Sequence, residues 1–125
     1  DIVLPVAGPV GIGTGEATLD KSGTMVIGVD SDWYNLPAHA AYKANILTSI
    51  EKKMAAAVES VIKDGVDKKF MGGDANQYVG TLANGGVQIA DQHDVAYPDG
   101  MAATLADLSK KIQSGDIKVT SIYNK

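Results

Sequence analysis

Short apolar runs separated by glycine-rich or polar stretches set the rhythm of this chain. The run IVLPVA, residues 2 to 7, is rich in β-branched residues and bounded by glycine, as buried parallel strands are. Pro5 inside it points to an edge position or to the strand's end. Weak apolar periodicity at Ile12 and Leu19 predicts a short helix over residues 12 to 21. MVIGVD, residues 25 to 30, predicts a second strand, and SDWYNLPAHAAYK reads as an irregular loop carrying most of the aromatic surface. ANILTSI, residues 44 to 50, reads as a third strand because β-branched residues dominate it, with Ser49 placed to cap the next helix. From Ile50 the apolar positions Ile50, Met54, Ala57, Val58, Val61 and Ile62 recur at helical spacing, and Gly65 falls just past the expected end.

Beyond FMGGD, two short runs flank an Asn-Gly pair in QYVGTL-ANGG-VQIAD, which in isolation is a strong hairpin signal. A last helix is predicted behind Asp99, with Met101, Leu105, Leu108 and Ile112 on one face and Gly115 at its end; DIKVTSI then runs on in extended form. No internal repeat or low-complexity stretch interrupts this order. Alternating strands and helices predict an α/β fold.

The 125 residues amount to one domain's worth of chain, and 45% apolar content is ordinary for a globular protein. All 11 basic residues are lysines, dispersed along a chain of net charge −4, so the basic footprint of a nucleic-acid binder is missing. With no cysteine there is no disulfide, thiolate metal site or cysteine nucleophile. No stretch approaches the ~20 apolar residues of a membrane span. The chain opens at Asp1, directly before a strand-like run, and reads as a piece of something longer.

The glycines of AGPVGIGTGE, with Asp30 nineteen residues beyond Gly11 at the end of a strand, suggest a dinucleotide-binding unit. The detail opposes it: the frame beginning at Gly11 puts Glu16 where the third glycine belongs, and the crossover is short for a full βαβ helix. No cofactor is therefore expected. The turn still exposes backbone N–H groups to a polar ligand, unless it only needs small residues. Asp30 sits where open α/β sheets bind ligands, and its carboxylate suits either a vicinal diol or the capping of the next turn. Asp30 and Asp32 lack a third partner at metal spacing. Trp33 and Tyr34 either stack on a ligand ring or cover the sheet. His39 and His93 lie in no nucleophile motif. Lys52, in the first turn of the expected long helix, opposes the helix dipole; it is either aimed at a partner or simply solvated.

Taken together, AGPVGIGTGEA, VIGVDSDWY, ILTSIEKKMAAAV, VGTLANGGVQIAD and LADLSKKIQSGDIKV resemble the basic membrane protein (BMP, PnrA-like) family of ABC transporter substrate-binding lipoproteins. GVDSD joined with LTS-x-x-K is the most specific part, and the match runs from Asp1 to about Val119. The resemblance implies that residues 1–125 are the C-terminal segment of a longer protein with a type I periplasmic-binding fold, of which this chain forms a Rossmann-like three-layer part. It further implies crossings between lobes near residues 48–49 and 82–87, so that the Asn84-Gly85 turn becomes a bend in a crossing strand. Asp30 and Lys52 would hold the ribose hydroxyls of a nucleoside, a purine one by family precedent, and Gly8 would approach it through its backbone; Asp32, Trp33 and Gly11 are further candidates. Trp33 departs from the glutamine usual after GVDSD, and the base-stacking aromatics belong to the upstream half. The implied partners are a nucleoside or related small solute, an ABC permease with its ATPase, and the N-terminal part of the same protein or an exchanged dimer. The implied location is extracytoplasmic, with a lipid anchor. The alternatives are a small Rossmann-like nucleotide-dependent enzyme using Asp30 with a histidine, or a fragment that binds nothing.

Overall fold

The computed structural model describes residues 1–70, 72, 73 and 77–120. Four strands, β1 (Ile2–Val3), β2 (Met25–Asp30), β3 (Ile46–Lys52) and β4 (Val87–Ile89), form one sheet in the order β1-β2-β3-β4. The first three run parallel and β4 lies antiparallel against β3. Three α-helices, α1 (Gly11–Ala17), α2 (Met54–Val66) and α3 (Met101–Ser114), alternate with them, so the chain is α/β with a mainly parallel sheet. Among the described residues no helix is long and apolar enough to cross a membrane.

β2 forms where the sequence predicts it. β1 is shorter than its apolar run and ends ahead of Pro5, on the edge of the sheet, because proline cannot donate to the ladder. The expected helix over 12 to 21 is the 3₁₀ turn Gly8–Val10 running into the seven-residue α1. The stretch after β2 is more ordered than its composition suggests: Trp33–Asn35 and Pro37–Asn45 wind as 3₁₀ turns.

The third strand and long helix divide later than expected. Ile50 to Lys52 belong to β3, where Ile50 faces Ile89 and Lys52 faces Val87 across the antiparallel pair. Ser49 caps nothing; its fully buried hydroxyl accepts the Trp33 N–H at 3.0 Å. Gly65 lies inside α2, and the left-handed residue beyond that helix is Lys68 (φ 57°). The Asn-Gly turn forms, with Gly85 at φ 69° and Asn84 Oδ1 accepting the N–H groups of Thr81 (2.8 Å) and Gly86 (2.9 Å). It does not fold its two flanking runs into a ladder: β4 pairs with β3, and residues 77–80 form no strand. α3 ends on Gly115 in the left-handed region (φ 84°), as expected. Residues 121 and 122 of the closing run lie outside the described residues, and 118–120 form no strand.

The core is small and sits around the turn after β2. Val26, Trp33, Tyr42 and Ile46 form one buried cluster, each side chain contributing about 1.5–3 kcal/mol by leaving water. His39 is buried with them. Its ring stacks flat on Trp33 with centroids 4.2 Å apart, meets Tyr42 edge-on, and Nδ1 contacts the Tyr42 hydroxyl. Burial pushes its pKa below the ordinary 6.5, so below that value the unfolded chain takes up a proton that folded His39 resists. His39 is thus expected to leave stability untouched above about pH 7 and to lower it progressively as the pH falls below about 6.5. Urea midpoints across that range, compared with those of His39→Gln, check this: the variant's curve should be flatter.

α2 contributes no buried side chain; its apolar positions Met54, Val58 and Ile62 are 56%, 59% and 61% exposed. The helical periodicity is real, but its apolar stripe faces outward. No described residue of α3 is buried either.

Candidate functional site

Parallel pairing brings the carboxyl ends of β2 and β3 side by side, with Asp30 in register with Glu51. Lys52 therefore stands one residue beyond Asp30's neighbour, at a strand end and not in the first turn of a helix. Its ammonium lies 2.8 Å from Asp30 Oδ1. That oxygen is shut off from solvent and makes this charge contact without a well-directed hydrogen bond. The side chains as wholes stay open, 60% exposed for Lys52 and 44% for Asp30. An ion pair so exposed contributes about 0–1 kcal/mol to stability. It places an anion and a cation together at the carboxyl end of a parallel sheet, the end at which open α/β sheets take ligands.

Asp30 holds this place at a backbone cost. Its φ is 73°, in the left-handed region that disfavours residues with a Cβ, although aspartate and asparagine enter it more readily than most. The next turn is pinned by four groups. Trp33 donates its N–H to Ser49 and its Nε1–H to the Val29 carbonyl (3.0 Å). Asp32 accepts the Tyr34 N–H at 3.2 Å and the Asn35 amide at 2.6 Å. His93 Nε2 lies 2.8 Å from Asp32 Oδ2.

Of the six candidate residues, the structure brings Asp30 and Lys52 into contact. Gly8 is exposed, has φ 53° and has open space where a Cβ would stand, so its backbone is approachable. It lies beyond β1, whose carboxyl end points the same way as that of β2. The other three serve the framework. Asp32 spends both carboxylate oxygens on the turn and on His93. Trp33 is buried with His39 against its ring, and a Cβ on Gly11 would stand 2.8 Å from the Trp33 ring, so these two residues pack against each other.

Sequence reading missed the cluster around Tyr34. The His93 ring stacks on Tyr34 with centroids 3.9 Å apart, the Lys43 ammonium stands 3.8 Å from the ring centroid, and the Tyr34 hydroxyl donates to Asp94 at 2.8 Å. That bond to a carboxylate, with burial second, raises the Tyr34 pKa above 10.0. Partners some sixty residues apart leave no local signal. The two histidines are thus engaged with Asp32 and with Tyr42, whereas Asp30 is engaged with Lys52. No three His, Asp or Glu side chains among the described residues are grouped to hold a metal ion.

Two hollows flank the sheet. One, of about 250 Å³, lies beside Lys52 between Met54, Ala57, Tyr78 and Val87. The other, about 990 Å³, is an open apolar groove bounded by Ile50, Val79, Leu82, Ile89, Ile112 and Ile117, and includes neither Asp30 nor Lys52.

No protein-family model and no curated protein matches the chain. Solved structures do. An ABC transporter solute-binding protein from Aeropyrum pernix K1 superposes with a TM-score of 0.71 at 22% identity, covering 98% of this chain and 41% of its own. One from Conexibacter woesei DSM 14684 gives 0.66 at 21% identity, covering 95% of this chain and 37% of its own. The chain thus spans about two fifths of these neighbours, and what it shares with them is their α/β fold.

Proposed function

We propose that this chain is part of a solute-binding protein of an ABC transporter and that its solute is a nucleoside, a purine nucleoside foremost. The observation that carries this reading is the exposed Asp30–Lys52 pair at the carboxyl end of a parallel sheet whose fold is that of solute-binding proteins. A carboxylate accepts from both hydroxyls of a ribose diol, and an adjacent ammonium donates to the same oxygens, so together they read a diol in both senses. Gly8 adds a backbone contact from the neighbouring strand's end. No step forms or breaks a bond: ligand is held, carried and released to the permease and its ATPase.

In this reading residues 1–125 are the C-terminal segment of a BMP-like protein, extracytoplasmic and lipid-anchored, with the chain crossing between lobes near 48–49 and 82–87. The outward apolar stripe of α2 supports that arrangement, because an amphipathic helix needs a partner surface. The rest of the polypeptide supplies it, or a second copy in an exchanged dimer.

The test is calorimetric titration of the full-length protein with inosine, guanosine and adenosine, with free ribose and galactose as controls. Saturable one-to-one binding of at least one purine nucleoside, tighter than of either sugar, is the expected result. Heat from the sugars alone would reassign the solute class.

A further inference from the structure

We propose that His93 is a positioning residue for the Asp30–Lys52 pair, acting through Asp32; the consequence for affinity rests on the nucleoside reading, the consequence for the turn does not. Asp30 occupies a left-handed conformation, which is strained for a residue with a Cβ and is kept by what surrounds it. The surroundings pin the turn from two sides. On the buried side Ser49 and the Val29 carbonyl hold Trp33. On the outer side Asp32 holds the Tyr34 N–H and the Asn35 amide, and is itself held by His93.

Asp32 is two residues from Asp30, so the position of its carboxylate sets the path the chain takes out of β2. His93 arrives from a distant part of the chain, just after β4, and reaches Asp32 Oδ2 at 2.8 Å with both side chains largely shielded, 18% and 16% exposed. A shielded contact of this kind is stronger than one in open water, because less solvent competes for the donor and acceptor. The imidazole is also placed by two neighbours: its ring lies on Tyr34, interplanar angle 6°, and the adjacent Asp94 accepts the Tyr34 hydroxyl. Lys43 stands over the Tyr34 ring. The segment after β4 and the turn after β2 are therefore joined as one unit. Movement of the 91–94 segment would displace Asp32, relax the turn and draw the Asp30 carboxylate away from Lys52. β4 itself pairs with the part of β3 that ends in Lys52, so both members of the ion pair are referenced to the same strand and its continuation.

Two substitutions separate the contact with Asp32 from the stack on Tyr34. His93→Phe keeps a flat ring and removes the donor; His93→Gln keeps a donor and removes the ring. If the Asp32 contact does the positioning, His93→Phe shifts the backbone amide resonances of Asp30, Ser31 and Asp32, and weakens inosine binding by the full-length protein about tenfold, the scale of one hydrogen bond to a charged group. His93→Gln restores the amide positions and binds within about twofold of the parent. The resonances of His39 and Tyr42, on the buried side, report that the core is intact in both variants. The proposal is overturned if the Asp30 amide stays in place in His93→Phe, or if His93→Gln displaces it as far as His93→Phe does. The amide shifts are read without ligand, so they judge the positioning role even if inosine does not bind the parent protein.

Discussion

Gly28→Ala is expected to be among the most damaging single methyl additions this chain can receive. A Cβ on Gly28 would stand 2.5 Å from Cγ and 2.9 Å from Cβ of Trp33, and closer still to the Ser49 hydroxyl. The strand cannot yield easily, because Gly28 is paired in register with Ser49 on the neighbouring strand. Trp33 cannot yield either, since its N–H is bound to that same hydroxyl and its indole N–H to Val29. Relief requires Trp33 to leave its site, which opens a core that, among the described residues, clusters four side chains. Over-packing alone costs about 1–3 kcal/mol, and with the displaced tryptophan about 3 kcal/mol or more is expected, out of the roughly 5–15 kcal/mol that holds a typical domain folded. Thermal unfolding should show a fall in Tm of more than about 10 °C. Gly13→Ala is the internal contrast: Gly13 is an exposed position in α1 with open space around it, so alanine there should stabilise by about 0.5–1 kcal/mol through helix propensity. A Gly28→Ala protein that unfolds where the parent does would mean that the Trp33–Ser49 arrangement is loose.

Gly28 also shows why some of this fold is legible in the sequence and some is not. Runs of β-branched residues reveal β2, and the Gly115 stop reveals the end of α3, because each depends on residues close in the chain. The border between β3 and α2 does not. Ile50 suits a helical stripe and a strand equally, and Ser49 looks like a cap; what decides is that Ser49 serves Trp33 and Ile50 meets Ile89, both long-range facts. The Asn-Gly pair marks a turn, but a turn does not choose its strand partner, and β4 finds a better one in β3.

The candidate site divides along the same line. Asp30 is visible because it ends a strand in a fold where strand ends bind ligands. Lys52 stands out for its place in the LTS-x-x-K stretch, even though its local pattern suggests a helix where the structure has a strand end. Trp33 looks like either a ligand platform or packing, and the three neighbours that settle its burial, Gly11, Gly28 and His39, are each uninformative alone. No local pattern could link His93 to Asp32.

The other large effect expected is a loss of ligand without a loss of fold. Asp30→Asn and Lys52→Met each remove one charge from an open ion pair, so the unfolding midpoint should move by no more than about 1 kcal/mol. On the proposed nucleoside reading, binding of a purine nucleoside by the full-length protein should fall about a hundredfold in each. One charge-assisted hydrogen bond is lost, worth about 1.5–3 kcal/mol, and the remaining charge must then be desolvated by the ligand without its counter-charge. The double variant should lose less than the two singles added together, because both act on the same diol and on each other. Asp30→Gly sharpens the test. At φ 73° glycine relieves the backbone, so that variant should match or exceed the parent in stability while binding no better than Asp30→Asn. A residue that costs stability where glycine would not is expected to stand there for its carboxylate. Undiminished affinity in Asp30→Gly and Lys52→Met, measured by the same titration, would show that the solute is held elsewhere.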